Sequence, residues 1–596
     1  MWNARRRMNL PVPVALNRLA AALRVLSLGI SLAARGTNDK HRTSPSFQPN
    51  HFFRFMLRSA LKSAAIPRSV PGAVAGLKAL PWICFPVLAA SGCQAQVINP
   101  PQLQSSAVMV PTHRSVPLPP SAMNSVLWVS LNDHLGAGTL ADRPAPQLTL
   151  ISAGTAPLQL QDRGGKLLIS SDRLRFSWRR VPLQESLDVA RRVAGPFASF
   201  ESAERIAGRW REQGVRAQVA HPGEWEVWGP ADAPDLSGVS LRDVSERISD
   251  VVMPVFEGPT GGSTLQGPLQ VHAPDGMRWK GGVLRGPFRL QPDAYGSWTL
   301  LEQLPLERYL EGVVPHEIGA GSPAAALQAQ AVLARTWALA NSHRFALDGY
   351  HLCSDTQCQV YSDPRQASPS VRQAIRATSG EVLLWNGKPI HAVYHASNGG
   401  VSALAEEAWA MEPLPYVRAL ADGETAWSQS IPLPLQSAQD VQSLLNNRAA
   451  YGAGHPRFRW SRDYSAGQLA KALAAAGQGN AAPTAMTVLK RGPSGRVLAL
   501  QIDRERGAKP VVLKLDAIRR TLRRLPSTLF IVESGGAGTW RFQGGGFGHG
   551  VGLSQAGAID LAARGWTVQR ILQHYYPGTQ LGPFRASAGT APAEAP

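Results

Sequence analysis

The sequence predicts an α+β fold: a β-rich body around one buried, alanine-rich helix, with a small α/β insertion near its start. Three observations carry this. Short, roughly alternating apolar segments broken by Gly, Pro and Asp recur between 125 and 181 and again between 265 and 301. The stretch SPAAALQAQAVLARTWALANSH, from Ser322, has helical spacing and many small residues, as expected of a helix packed closely inside a core. Residues 188–230 read strand, helix, strand, strand. With 596 residues, 44% of them hydrophobic, the chain is long enough for several domains and a sizeable core.

Residues 1–95 read as a basic leader. Of the net charge of +20, residues 1–132 hold fourteen Lys/Arg against one acid, Asp39, which leaves only +7 for the rest. From Met56, which reads as the true start, MLRSALKSAAIPRSVPGAVAGLKALPWICFPVLAASGCQAQ has basic residues, an apolar run from Ala79 to Ala90 and then small residues. This is the pattern of a secretory signal peptide, cleaved after Ala95 or lipidated at Cys93. An organelle transit peptide is the other reading, because residues 1–38 are Arg-rich and lack acids. The expectation is export to a periplasm or cell envelope, with membrane attachment only through the leader or a lipidated Cys93. Nucleic-acid binding is not expected, since most of the basicity sits in the leader and no RRM, KH, zinc-finger or helix-turn-helix pattern follows.

Residues 96–123 are rich in Pro, Ser and Gln and read as a linker. Residues 124–186 contain SVLWVSL, QLTLIS, LQLQD, KLLIS and LRFSWRRV, a β-rich N-terminal part. In 187–235, a helix starting at Ser199 or Ser202 puts Ala203, Ile206, Ala207 and Trp210 on one face and stops at Gly214. This segment resembles a SPOR-type repeat, whose family binds glycan strands stripped of peptide; a plain α/β packing element is the alternative. Residues 260–584 form the main domain. There Ser322 can cap the alanine-rich helix, with Pro323 at its first position, and Ala326, Ala329 or Gln330, Leu333 and Trp337 share a face. Residues 585–596 read as a frayed tail.

Four clusters carry chemistry. The first is LPLERYLEGVVPHEIGAGSPAAALQAQAVLARTWALA from Leu304; then come CSDTQCQVY at 353–361, SGEVLLWNGKPIHAVYHASNGG at 379–400, and GGGFGHGVGLSQAGA from Gly544 with ILQHYYPGT at 571–579. In this order they resemble the stage II sporulation protein D (SpoIID/LytB) family over about residues 260–584. The resemblance implies a SpoIID-type catalytic domain and a lytic transglycosylase acting on peptide-stripped glycan strands of peptidoglycan, with its catalytic glutamate at Glu317. The residues themselves point the same way. Val313, Val314, Pro315, Ile318 and Gly319 surround Glu317 with an apolar setting that raises a carboxyl pKa, whereas a helix starting at Ser322 would lower it.

The chemistry implied needs one acid and no cofactor. An ordinary glycosidase uses two carboxyls; here the muramic acid's own carbon-6 hydroxyl attacks its anomeric carbon, leaving a 1,6-anhydro ring. The candidate sugar contacts are Gln330, Arg335, Gln359, Tyr361, Tyr394, His395, Ser397, His549, Ser554 and Gln555. Glycines at 544, 545, 546, 548, 550 and 552 are expected to let backbone and His549 lie against the sugar chain. Trp385, Trp409, Trp427 and Tyr416 are candidates for stacking on sugar faces. His351, Cys353 and Cys358 suit a structural zinc, and the same two cysteines suit a disulfide in an oxidising compartment. A Ser/His hydrolase built on Ser397 lacks a GxSxG elbow. The other function to weigh is that of a non-catalytic wall-binding protein that enhances an N-acetylmuramoyl-L-alanine amidase, also attached to this family; the amidase would then be its partner.

Overall fold

The computed structural model describes residues 114–584 except 115, 117, 123–124, 141–142, 259–260, 506, 523–524 and 537. The leader, most of the linker and the tail lie outside the described residues. Those described belong to the unit Cys93–Pro596. Among them, no helix is long and apolar enough to cross a membrane.

Each β segment expected before residue 187 forms. They are Val126–Leu135, Leu148–Ser152, Leu158–Gln161, Leu167–Ser171 and the start of Arg173–Phe197. A seven-stranded sheet runs in the order Leu352–Cys353, Val126–Leu135, Trp298–Pro305, Phe288–Pro292, Leu269–His272, Leu158–Gln161, Leu167–Ser171. Its first pair is parallel, with Val129 opposite Leu352. The others are antiparallel. Leu127, Val129 and Leu131 point into the core, as the alternating pattern requires.

The second sheet is built on one strand of 25 residues, Arg173–Phe197. It pairs with Leu241–Gly258 from Phe176 opposite Phe256 to Ala194 opposite Leu241. This pairing continues across the expected division at 186/187, with a bulge between Pro182 and Leu187, so the N-terminal β part and the α/β insertion share a sheet. Within the insertion the strand, helix, strand, strand order is present, with the helix at Phe200–Glu212 and Ser199 capping it by accepting from the Ser202 N–H. Phe200, Ala203, Ile206, Ala207 and Trp210 are its buried face. They share a core cluster with Leu301, Phe345, Tyr350 and Cys353, which fuses the insertion to the main body.

The alanine-rich helix spans Ala324–Ala340 and is buried nearly all round, as its many small residues predict for a central helix. That is the mark of a helix with other elements on every side. Ser322 does not cap it: its hydroxyl donates to Ile318 O at 2.7 Å, and Pro323 holds the cap position without a side-chain bond. A second β-rich body within the expected main domain has its own core of Trp460, Leu469, Leu473, Leu500, Ile502, Phe530 and Phe542. Its two three-stranded sheets are Arg459–Ser465, Thr539–Gly545, Phe530–Gly536 and Pro483–Arg491, Val497–Arg504, Val511–Lys514.

Candidate active site

The helix Leu306–Val314 continues into a π-helical turn, Pro315–Gly319. Pro315 has no N–H to give the helix ladder, and its ring crowds the preceding turn, so regular helix ends there. Glu317 projects from this turn. Its Oε1 accepts the Val360 backbone N–H at 2.9 Å, and the Gln555 side-chain amide donates to the same carboxyl. Burial raises the Glu317 pKa, and these two bonds only partly offset it. Among the described residues no cation pairs with Glu317.

Glu317 opens into a cavity of about 480 Å³. Around it stand Trp337, Gln359, Val360, Tyr394 and Trp409; the insertion adds Phe200, Glu201 and Trp225; and Asp516, Arg519, Arg520 and His549 come from beyond residue 500. Two other carboxyls line the cavity, and both are paired. Burial alone would raise Glu201, but Arg344 and His391 beside it hold it down to about 2. Asp516 accepts from Arg519 at 3.0 Å.

The candidate sugar contacts separate into three groups. Gln359, Tyr394 and His549 line the cavity with Glu317. Gln555 and Gln330 lie behind the acid: Gln555 Nε2 donates to Gln330 Oε1 at 3.2 Å while bonding Glu317, so the pair positions the carboxyl and is not among the residues lining the cavity. The other five serve the framework. Arg335 is buried, with Nε and Nη2 on the two Glu307 oxygens at 2.7 and 2.8 Å and Nη1 on Glu381 O at 3.0 Å. The Tyr361 hydroxyl donates to Glu302 at 2.8 Å. His395 and Ser397 are buried in the 393–400 segment, and Ser554 caps the helix Gln555–Ala563 by accepting from Gly557. Of the aromatic candidates only Trp409 reaches this cavity.

The glycine run packs against protein and not against the cavity. A Cβ on Gly546 would sit 2.6 Å from Ser397 O, and one on Gly552 would overlap Val393 O and the Tyr576 hydroxyl. These glycines let two stretches of protein backbone meet, not backbone and sugar. His549 follows the same logic. Its Nδ1 accepts from Val551 N–H at 3.1 Å, so Nε2 carries the proton and donates to Tyr394 O at 2.9 Å. Burial, reinforced by Arg519, holds its pKa down to about 3, so it faces the cavity as a neutral ring.

Of the two readings for Cys353 and Cys358, the structure has the disulfide, with the Cα atoms 5.7 Å apart. His351 Nδ1 accepts from Trp128 N–H at 2.8 Å and Nε2 donates to Pro120 O at 2.7 Å. Neither thiolate nor ring nitrogen is free, so these residues do not fit a zinc ion as arranged. What the sequence gave no sign of is the charged wall made by Glu201, Arg344, Asp516, Arg519 and Arg520. These residues are far apart in the chain and belong to no motif; only the fold gathers them.

Residues 294–385 match the family described as stage II sporulation protein, and residues 403–552 match a domain of unknown function, DUF8618. The second match supplies Trp409, Asp516, Arg519, Arg520 and His549. Over 299 residues the chain is 30% identical to stage II sporulation protein D of Bacillus amyloliquefaciens, spanning 47% of this chain and 75% of that one. It is 28% identical over 297 residues to stage II sporulation protein D of Bacillus subtilis (strain 168), with the same coverage. It is 27% identical over 292 residues to the protein named amidase enhancer of that strain, spanning 46% of this chain and 40% of that one.

Proposed function

The chain belongs to the stage II sporulation protein D family, and on that premise we propose that it is an envelope-located lytic transglycosylase cleaving the MurNAc-GlcNAc bond of peptide-stripped peptidoglycan. The observation that carries this is Glu317: a carboxyl with no cationic partner among the described residues, its pKa raised by burial, facing a cavity whose other two acids are held in ion pairs. A single unpaired acid whose pKa is raised by burial suits a reaction that needs one.

In this reading Glu317 gives its proton to the departing glycosidic oxygen as the bond to the muramic anomeric carbon breaks. The carbon-6 hydroxyl of the same sugar closes on that carbon and passes its proton to the Glu317 carboxylate, so the acid is restored within one turnover. Val360 N–H and Gln555 orient the carboxyl through both stages. Trp409 offers a ring for a sugar face, and Arg519 and Arg520 suit a strand whose stripped lactyl groups are carboxylates. The SPOR-like insertion contributes part of this wall and thereby contacts the glycan.

The test is product analysis by mass spectrometry after incubation of the purified protein, and of Glu317→Gln, with amidase-treated peptidoglycan. Anhydromuramic ends from the wild type alone are the expected result. Reducing ends would make it a hydrolase. Binding without cleavage by either protein would favour the amidase-enhancing wall binder, the reading that the similarity to the amidase enhancer supports.

A further inference from the structure

Away from the cavity, at the joint between the insertion and the main body, Asp133, His134 and His221 converge, one ligand atom from each lying within 4.8 Å of the others. We propose that these three side chains bind a divalent transition-metal ion, zinc being the probe, which staples the insertion to the first long strand of the body.

The backbone at His134 is the first argument. Asp133 and His134 are neighbours in Val126–Leu135, where successive side chains ordinarily point to opposite faces. Here the register slips: Asn132 lies opposite Leu300 and Leu135 opposite Trp298, so two residues face one. Within this bulge His134 has φ +52°, a conformation that glycine takes without strain and histidine rarely takes. The distortion brings its imidazole round to the Asp133 side, Nε2 lying 3.9 Å from Asp133 Oδ2. A strained non-glycine residue kept at a bulge points to a role for its side chain.

The histidines' bonding is the second. Among the described residues, no hydrogen bond uses a ring nitrogen of His134 or His221, in contrast to His351 and His549, whose rings are fully bonded. Their surroundings nevertheless hold them in place. The His221 backbone N–H donates to the Tyr295 hydroxyl at 2.6 Å, the Tyr295 ring lies 5.3 Å from that of His134, and the Tyr295 hydroxyl donates to Asp348 at 3.0 Å.

The donor set fits the chemistry. Two imidazoles and a carboxylate suit zinc and similar ions, at metal-ligand distances of about 2.0–2.2 Å and hence ligand-ligand distances of about 3.3 Å in a tetrahedron. Binding would have to draw the three side chains in from their present spacing to that value. Asp133 and His134 are partly exposed while His221 is buried, so the site has an entrance and room for a water as a further ligand. Trp225 packs on His221 with ring centres 4.5 Å apart and also lines the Glu317 cavity. The ion would thus steady one wall of the candidate active site.

Zinc binding by the full chain is measured by competition with a chromophoric chelator, alongside thermal melting and cobalt spectra. The wild type is expected to take up one ion per chain and to melt higher with zinc. His221→Asn and Asp133→Asn should bind about tenfold or more weakly, and cobalt should show no thiolate charge-transfer band. Cys353→Ser with Cys358→Ser should bind as the wild type does. His134→Gly keeps the proposal testable if other variants fold poorly: glycine accepts the φ, so the metal-free variant should melt no lower than the wild type yet gain nothing from zinc. No uptake by the wild type, undiminished uptake by His221→Asn, a full zinc response in His134→Gly, or dependence on the cysteines would each overturn it.

Discussion

The Val360 backbone N–H donates to Glu317 Oε1 at 2.9 Å, joining the turn that carries the candidate acid to the loop that follows the Cys353–Cys358 disulfide. The same loop supplies Gln359, whose side chain bonds Ala334 O, the Tyr309 hydroxyl and the Tyr394 hydroxyl. The geometry of the acid thus depends on a segment 43 residues away in sequence.

The disulfide should therefore matter for activity as well as stability. Closing so short a loop stabilises by about 2 kcal/mol in the chain-entropy description. Cys353→Ser with Cys358→Ser is expected to lose about that much in a denaturant melt, and also to turn over more slowly at an unchanged pH optimum. Full activity in the doubly substituted protein would show that Val360 holds Glu317 without help from the bridge.

Glu317→Gln separates the acid's cost to folding from its role in chemistry. The folded-state pKa of Glu317 lies above its unfolded value, so its contribution is most favourable below the unfolded pKa and is lost as pH rises through the folded one. Glutamine never ionises, and its side-chain oxygen still accepts from Val360. Relative to the wild type, the variant should be equally stable in acid and progressively more stable as pH rises, levelling off above the raised pKa. Melting curves across pH check this. A difference that shrinks with rising pH would mean that the ionised form is the one the fold favours.

Arg335 was expected to touch sugar, and the structure makes it a strut. Its guanidinium is buried, whereas the Glu307 side chain is 40% exposed, so the two partners are not equivalent. Glu307→Ala strands a buried cation and should cost about 3–5 kcal/mol. Arg335→Met leaves a carboxylate that water can solvate, so it should cost less. Neither should change KM for stripped glycan. A raised KM with unaltered stability in Arg335→Met would return the residue to the substrate.

The expectations that held rest on local physics. Alternation placed the strands before 187, Ser199 and Gly214 marked the ends of the insertion helix, and the apolar residues around Glu317 signalled burial of the carboxyl. Those that failed needed knowledge of neighbours. A polar residue in a motif looks alike whether it lines a cavity, as Gln359 does, or is buried against an ion-pair partner, as Arg335 is. The long strand Arg173–Phe197 crosses an expected boundary because its partner, Leu241–Gly258, lies beyond the insertion, and no local pattern announces that pairing. The charged cavity wall is the extreme case, gathered from residues more than 300 positions apart, as the bond from Arg520 to Ala198 illustrates.

The glycine run gives the sharpest test of that distinction, because two of its readings predict opposite outcomes. Gly552 and Gly565 share similar left-handed φ values, +71° and +83°, but only Gly552 is hemmed in by Val393 O and the Tyr576 hydroxyl, while nothing lies within 4 Å of a Cβ on Gly565. Gly565→Ala should therefore cost only the backbone strain, about 1–2 kcal/mol. Gly552→Ala adds overpacking of about 1–3 kcal/mol to that strain. Were the run shaped to admit sugar, Gly552→Ala would instead melt like Gly565→Ala and lose affinity for stripped glycan. Comparing the two melts with glycan binding by the folded fraction decides between backbone packing and ligand approach as the reason for the glycines.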